Sequence, residues 1–358
     1  MSSSPKESAI VLGAGIAGLT TACTLLARHQ SSLDITVIAK HLPGDISHTE
    51  YCSPQAGANW RSFECELNQY AQYDKISFYR FLDIADQNPE SGVKRFPMRL
   101  VFGNESKKSE LWFHELVGGI TDVPKKDLPE GAAWGVDLVT FMYNPNVYLH
   151  WLYARLVKAG VKILRRSYGH LDGLISDFPK VTAVFNCTGL GARHLGGVRD
   201  EKVYPKKGQT ILISEPKSPI DRMYIWSQPS LFGPNEFAHV FPRPLGGGII
   251  IGGVRRENDW DGSFDLSLAD RIKMRACQLC PELGKPEDLQ VVQHNVGLRP
   301  GRTGGARVAI EEYHGKSVIH NYGAGSAGYQ SSWGMAEHAV ALFSEKSNFD
   351  RSALSAKL

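Results

Sequence analysis

The sequence predicts an α/β fold in which a parallel sheet wrapped by helices is interleaved with a second, β-rich domain. Three observations carry this prediction. A buried strand runs into a glycine turn and a periodic helix close to the N-terminus, a second strand–glycine–helix unit stands near the C-terminus, and long β-rich stretches without phosphate signals lie between them.

The first unit is Ala9-Ile10-Val11-Leu12-Gly13-Ala14-Gly15-Ile16-Ala17-Gly18-Leu19. Ala9–Leu12 read as a buried strand, and Gly13, Gly15 and Gly18 fit the GxGxxG turn of a Rossmann-like unit. The first glycine lets the chain turn, the second lets backbone approach a pyrophosphate, and the third lets helix pack on strand. Leu19, Cys23 and Leu26 continue at helical spacing, with free N–H groups at the helix start. Asp34–Ile38 give the next strand, which ends in Ala39 and Lys40 where an NAD-binding fold usually carries an acid; this argues against NAD. Residues 41–60 read as irregular, with small residues at Ala56-Gly57-Ala58-Asn59 that let backbone lie flat against a bulky group. Residues 63–141 mix helical and strand patterns and are assigned mostly to the second domain.

A helix from Asn146 is apolar at Leu149, Leu152, Tyr153 and Leu156 and stops at Gly160; strands at Val161–Leu164 and Val181–Cys187 return the chain to the parallel sheet, the latter ending in Thr188-Gly189. Strands follow at Thr210–Ile213, Phe237–Phe241 and Gly248–Ile251, then a helix at Leu268–Leu279. Ser317–Asn321 lead into Gly323-Ala324-Gly325-Ser326-Ala327-Gly328, a second GxGxxG, and a helix through Met335, Ala339 and Leu342. Two glycine-lined helix starts so far apart suit one long cofactor better than two nucleotides. FAD has that length, and a helix dipole would stabilise its reduced, anionic ring.

Composition narrows the partners. With 40 basic and 37 acidic residues the chain has no polybasic signature, so nucleic acid is not expected. No apolar run reaches membrane-spanning length, and the first residues lack a signal-peptide pattern, so no membrane association is expected. The 6 cysteines are scattered; Cys277 and Cys280 stand close without a second pair, which reads as thiols on a helix, and no metal-ligand spacing occurs. Ala356-Lys357-Leu358 is a close variant of the Ser-Lys-Leu peroxisomal address, giving an expected peroxisomal location and an import receptor as partner. Oligomeric state is left open.

Taken together, the motifs resemble the D-amino-acid oxidase family, D-aspartate oxidase branch. The matching pieces are Val11–Leu19, Leu42-Pro43, Ala56–Trp60, Asn186–Ala192, Pro242-Arg243-Pro244, Gly252-Gly253, Asp259-Trp260, Asn295–Pro300 and Ser326–Gln330. The resemblance implies a discontinuous FAD domain of GR2 type at 1–62, 142–200 and 290–358, and an antiparallel α+β substrate domain at 63–141 and 201–289. It implies FAD contacts at Gly13, Ala14, Gly15, Ile16, Gly18, Ala39, Lys40, Ser47, His48, Gly57, Ala58, Asn59, Thr188, Gly189, Arg299, Gly325, Ser326, Ala327, Gly328, Tyr329 and Gln330.

Arg299 matches the family's substrate-carboxylate arginine, and Ser326 matches a residue beside the substrate amino group. His239 stands where neutral-substrate relatives carry a tyrosine, either bonding a carboxylate or sitting as a satisfied core histidine. Arg255 stands where the D-aspartate branch has arginine; strand alternation lets only one of Arg255 and Arg256 face inward, and the match favours Arg255. Arg61 falls near the side-chain pocket as a second cation. The implied reaction is FAD-dependent oxidative deamination, by dioxygen, of acidic D-amino acids (D-aspartate, with D-glutamate second) to 2-oxo acid, ammonia and hydrogen peroxide; a broad oxidase of neutral D-amino acids is the alternative.

Overall fold

The computed structural model describes residues 7–29, 32–45, 48–104, 110–227 and 232–346; Ser47 and Ala356-Lys357-Leu358 lie outside them. The first half of the chain forms β1 (Glu7–Leu12), α1 (Ile16–His29), β2 (Leu33–Ala39), α2 (Gln69–Gln87), β3 (Val93–Phe102), β4 (Thr121–Asp122), β5 (Trp134–Tyr143), α3 (Pro145–Lys158) and β6 (Lys162–Arg165). There follow α4 (Leu171–Asp177), β7 (Ala183–Asn186), β8 (Val203–Ile213), β9 (Met223–Ser227), β10 (Glu236–Pro242), β11 (Ile249–Val254) and β12 (Arg256–Glu257). The last elements are α5 (Leu266–Leu279), β13 (Val291–Arg302), β14 (Arg307–Tyr313), β15 (Lys316–Tyr322) and α6 (Ser332–Lys346).

Two sheets organise these elements. The first has the order β14-β15-β7-β1-β2-β6, parallel except for the β14–β15 hairpin at one edge. Its central strand, β1, is fully sandwiched, which is why Ala9, Ile10, Val11 and Leu12 carry no polar residue. The second sheet runs β12-β8-β11-β10-β9-β3-β5-β4, with β13 also on β8. It is antiparallel but for β3 against β9, which come from separate excursions of the chain and have no hairpin to set their direction.

Residues 291–302, assigned by the resemblance to the FAD domain, form β13, which pairs with β8 of the second sheet from Val291 to Arg302. One expectation is corrected: the second glycine motif does not open directly into a helix. It folds into a short 3₁₀ turn at Gly325–Ala327, and α6 starts only at Ser332.

Close backbone approach sets the site's frame. A Cβ on Gly18 would lie 1.9 Å from the Gly13 carbonyl oxygen, so the helix can meet the turn only without a side chain there. The α1 start is capped from a distance, Ile16 N–H donating to Ser53 Oγ at 3.1 Å. Further on, a Cβ on Gly334 would lie 2.3 Å from the Tyr73 carbonyl oxygen, and Gly334 N–H donates to Ser77 Oγ, so α2 and α6 cross in backbone contact.

Candidate active site

A cavity of about 1200 Å³ opens between the two sheets. Its wall takes in Gly13, Ala14, Gly15 and Ile16, then Ala39 and Lys40, then Gly57, Ala58 and Asn59, then Thr188 and Gly189. Gly325, Ser326, Gly328, Tyr329, Gln330, Arg299, Arg255, Arg61 and His239 also face it. Three of the expected cofactor residues do not line it. Gly18 is spent on helix–turn packing, Ala327 closes the 3₁₀ turn with its N–H on Ala324 O, and His48 is exposed with its ring 4.2 Å from that of His41.

The wall is shaped by local chemistry. Gly13 sits at φ +117°, and a Cβ there would lie 2.5 Å from the Cys187 carbonyl oxygen. Thr188 is held by Asn186, whose Oδ1 accepts from Thr188 N–H at 3.2 Å and from its hydroxyl at 2.7 Å. Tyr329 donates to Ser53 O at 2.8 Å and stacks on Tyr143, while Tyr51 donates to Ala14 O at 2.9 Å.

One group of side chains stands apart electrically. Arg61, Arg255 and Arg299 converge on the cavity, and none has a carboxylate partner among the described residues. Arg299 donates only long bonds from Nη1, 3.5 Å to Lys206 O and 3.4 Å to Val254 O. Arg61 donates to Ser227 Oγ at 3.1 Å, and its guanidinium lies 5.6 Å from the centre of the Phe63 ring. Arg255 lies between the Phe63 and Phe237 rings, at 5.3 and 5.4 Å. Among the described residues, the Nε atoms of Arg61 and Arg255 are buried without a hydrogen-bond partner, as are Ser326 Oγ, Thr210 Oγ1 and His239 Nε2. Burial, followed by the nearby Arg255 charge, brings both Arg61 and Arg299 down to about 10, and burial also lowers Arg255. Arg256, by contrast, turns away to Asp265 at 3.4 Å.

Among the described residues two acids line the cavity, the exposed Glu50 and Glu236, and Glu236 is already used: it accepts from Arg271 at 2.9 Å and pairs with Arg275. His239 is buried and stacked on Phe241 at 4.5 Å. Burial, then Arg299 and Arg255, pushes its imidazole down to about 3, so it is neutral at physiological pH. The site therefore holds three unneutralised cations beside a neutral imidazole, an arrangement complementary to a small molecule carrying carboxylates.

Ser53, Tyr51, Thr210, Phe63 and Phe237 line the cavity and Asp74 stands behind Gln330, residues that sequence patterns did not reveal. Ser53 had a signal, since α1 begins without a Ser, Thr, Asp or Asn cap of its own and needs an outside acceptor. The others carry none that local spacing could expose.

The family model described as FAD dependent oxidoreductase matches residues 8–342. A D-amino-acid oxidase of Schizosaccharomyces pombe is 38% identical over 340 residues, covering 93% of this chain and 95% of that protein. A D-aspartate oxidase of Talaromyces thermophilus is 32% identical over 370 residues, covering 95% and 96%. The resemblance to the D-amino-acid oxidase family thus extends to relatives bearing both names, and the higher identity is to the one without the aspartate label. Among solved structures, glycine oxidase from Geobacillus kaustophilus superposes with a TM-score of 0.73 at 15% identity, covering 98% of this chain and 99% of that one, a likeness of fold.

The cavity fits FAD. The wall at Gly13 and Gly15 is bare backbone at the start of α1, suited to a pyrophosphate, and β2 ends without the acid an NAD site would carry. The turn at Gly325–Ala327 and the unpartnered Ser326 Oγ leave further polar groups aimed at the same space.

Proposed function

Because the chain belongs to the FAD dependent oxidoreductase family, we propose that it oxidatively deaminates acidic D-amino acids, D-aspartate first and D-glutamate second, yielding 2-oxo acid, ammonia and hydrogen peroxide. It is an FAD-dependent enzyme of the D-amino-acid oxidase type. The observation that carries the acidic preference is the set of three guanidinium groups, Arg61, Arg255 and Arg299, sharing one cavity without a carboxylate partner among the described residues. A neutral D-amino acid offers one carboxylate to these cations; a diacid offers two.

In this reading Gly13–Ile16, Thr188, Gly189 and the Gly325–Gln330 turn hold the cofactor. When bound, FAD supplies the redox chemistry, taking two electrons from the substrate Cα–H bond and delivering them to dioxygen. Arg299 forks onto the α-carboxylate, which a planar bidentate donor does better than a lysine. Arg255 takes the distal carboxylate with Arg61 beside it, and the Phe63 and Phe237 rings pack against these guanidinium groups. His239 offers its free Nε2 without adding a fourth charge. Ser326 sits by the amino group. The protein's share of catalysis is orientation and electrostatics, so no side-chain base is required.

The alternative, a broad oxidase of neutral D-amino acids, is favoured by the 38% identity to a protein named D-amino-acid oxidase. Peroxide release from D-aspartate, D-glutamate and D-alanine, assayed side by side, decides between them. The acidic reading expects kcat/KM at least about tenfold higher for D-aspartate than for D-alanine. A reversed order establishes the alternative.

A further inference from the structure

Asp74 is a carboxylate in the interior, 2% exposed, with no cation partner among the described residues. It comes from α2, outside every glycine motif, yet it meets the turn that lines the cofactor cavity. Gln330 Nε2 donates to Oδ2 at 2.9 Å and the Ser331 hydroxyl donates to Oδ1 at 2.5 Å. Its backbone oxygen accepts from Trp60 Nε1 at 3.1 Å, and Trp60 directly precedes Arg61 of the arginine cluster. The backbone contact between Tyr73 and Gly334 fixes this crossing from the other side of α2. Burial pushes the carboxyl up to about 6, with the Ser331, Ser62 and Gln330 hydrogen bonds opposing, so the fold carries an electrostatic cost at this position.

A carboxylate can only accept. The Gln330 amide is therefore oriented with its NH₂ toward Asp74, which leaves Oε1 as its atom able to accept from the cavity that Gln330 lines. Gln330 shares its cavity with Arg61, Arg255 and Arg299, the groups read here as holding the substrate, and the substrate must meet the redox ring in that space. The isoalloxazine imide carries an N–H donor on its edge. We propose that Asp74 is a positioning residue for the cofactor: it locks the Gln330 amide so that Oε1 accepts from the flavin imide N–H. An asparagine at position 74 would offer both a donor and an acceptor, satisfy either amide orientation, and release the lock.

The test compares wild type, Asp74→Asn, Gln330→Leu and the double variant as apoproteins titrated with FAD, with flavin fluorescence giving Kd and the visible absorption bands recorded for each holoprotein. No amino-acid substrate enters, so the outcome is separate from the acidic specificity. Each single variant should weaken FAD by about tenfold, and the double variant should bind no more weakly than Gln330→Leu, with the same band shift. A Kd for Asp74→Asn within about twofold of wild type overturns the proposal, and so do losses that multiply in the double variant, because a purely structural Asp74 would act independently of Gln330. If Asp74→Asn does not fold, Asp74→Ser takes its place in the cycle with the same expected and overturning outcomes, and Gln330→Leu by itself tests the acceptor role. A tenfold loss with an altered band upholds the acceptor role, and an unchanged Kd overturns it.

Discussion

Arg255→Ala is the sharpest perturbation of the proposed specificity. The Arg255 guanidinium is half-buried between Phe63 and Phe237, has an Nε unpartnered among the described residues, and makes no ion pair with a described carboxylate, Glu257 acting on it only from farther off. A unit ion pair at about 4 Å in an effective dielectric of about 20 is worth about 4 kcal/mol. Arg61 remains in the variant and takes part of that load, so the expected loss is about 2–3 kcal/mol, or about 30- to 160-fold in kcat/KM for D-aspartate. D-Alanine has no distal carboxylate and should stay within about threefold. The variant should not be less stable as apoprotein, because a desolvated cation without a counter-ion has been removed. Peroxide release measured for both substrates at physiological salt is the assay; a desolvated pair is little screened there. Equal losses on D-aspartate and D-alanine, or no loss on either, would refute the assignment of Arg255 to the side-chain carboxylate.

Arg299→Ala should depress turnover of D-aspartate and D-alanine alike, since both present an α-carboxylate; steady-state kinetics retaining wild-type kcat/KM for either would remove that role. His239 gives a pH prediction. The folded imidazole is held down to about 3 against an ordinary 6.5, so between these values the unfolded chain binds more protons, and stability present above 6.5 is lost as pH falls toward 3. His239→Phe should reduce the drop in stability between pH 7.5 and 4.5 by on the order of 2–3 kcal/mol, read from urea midpoints, and an undiminished drop counts against it. Gly18→Ala would put a methyl 1.9 Å from the Gly13 carbonyl oxygen, so the thermal midpoint and FAD affinity should both fall, at a cost of about 3 kcal/mol or more; a variant as stable as wild type would contradict the packing described.

Much of the site was legible because its parts are local. Gly13, Gly15 and Gly18 declare the α1 turn through their spacing, and the missing acid after β2 shows at Ala39 and Lys40. That only one of Arg255 and Arg256 faces inward was expected from the two-residue period of a strand, and the two side chains do part company, one to the cavity and the other to Asp265. Where reading along the chain fell short, the contact was distant. β13 carries the same alternation whichever sheet it joins, and its placement on β8 depends on a partner some ninety positions away, Arg299 opposite Lys206. The second glycine motif resembles the first in letters, yet its Gly325 at φ +58° closes a 3₁₀ turn before the helix can begin. Asp74 has no pattern at all; only the crossing of α2 and α6 brings it to Gln330.

The first strands, the glycine turns and the identity of each charged group were written into the chain, because steric freedom and hydrophobic period act over a few neighbouring residues. Bringing Arg61, Arg255 and Arg299 together was left to the tertiary fold. Each comes from a different segment, and whether a guanidinium meets a counter-charge or an open cavity depends on what the rest of the protein places within a few ångströms of it.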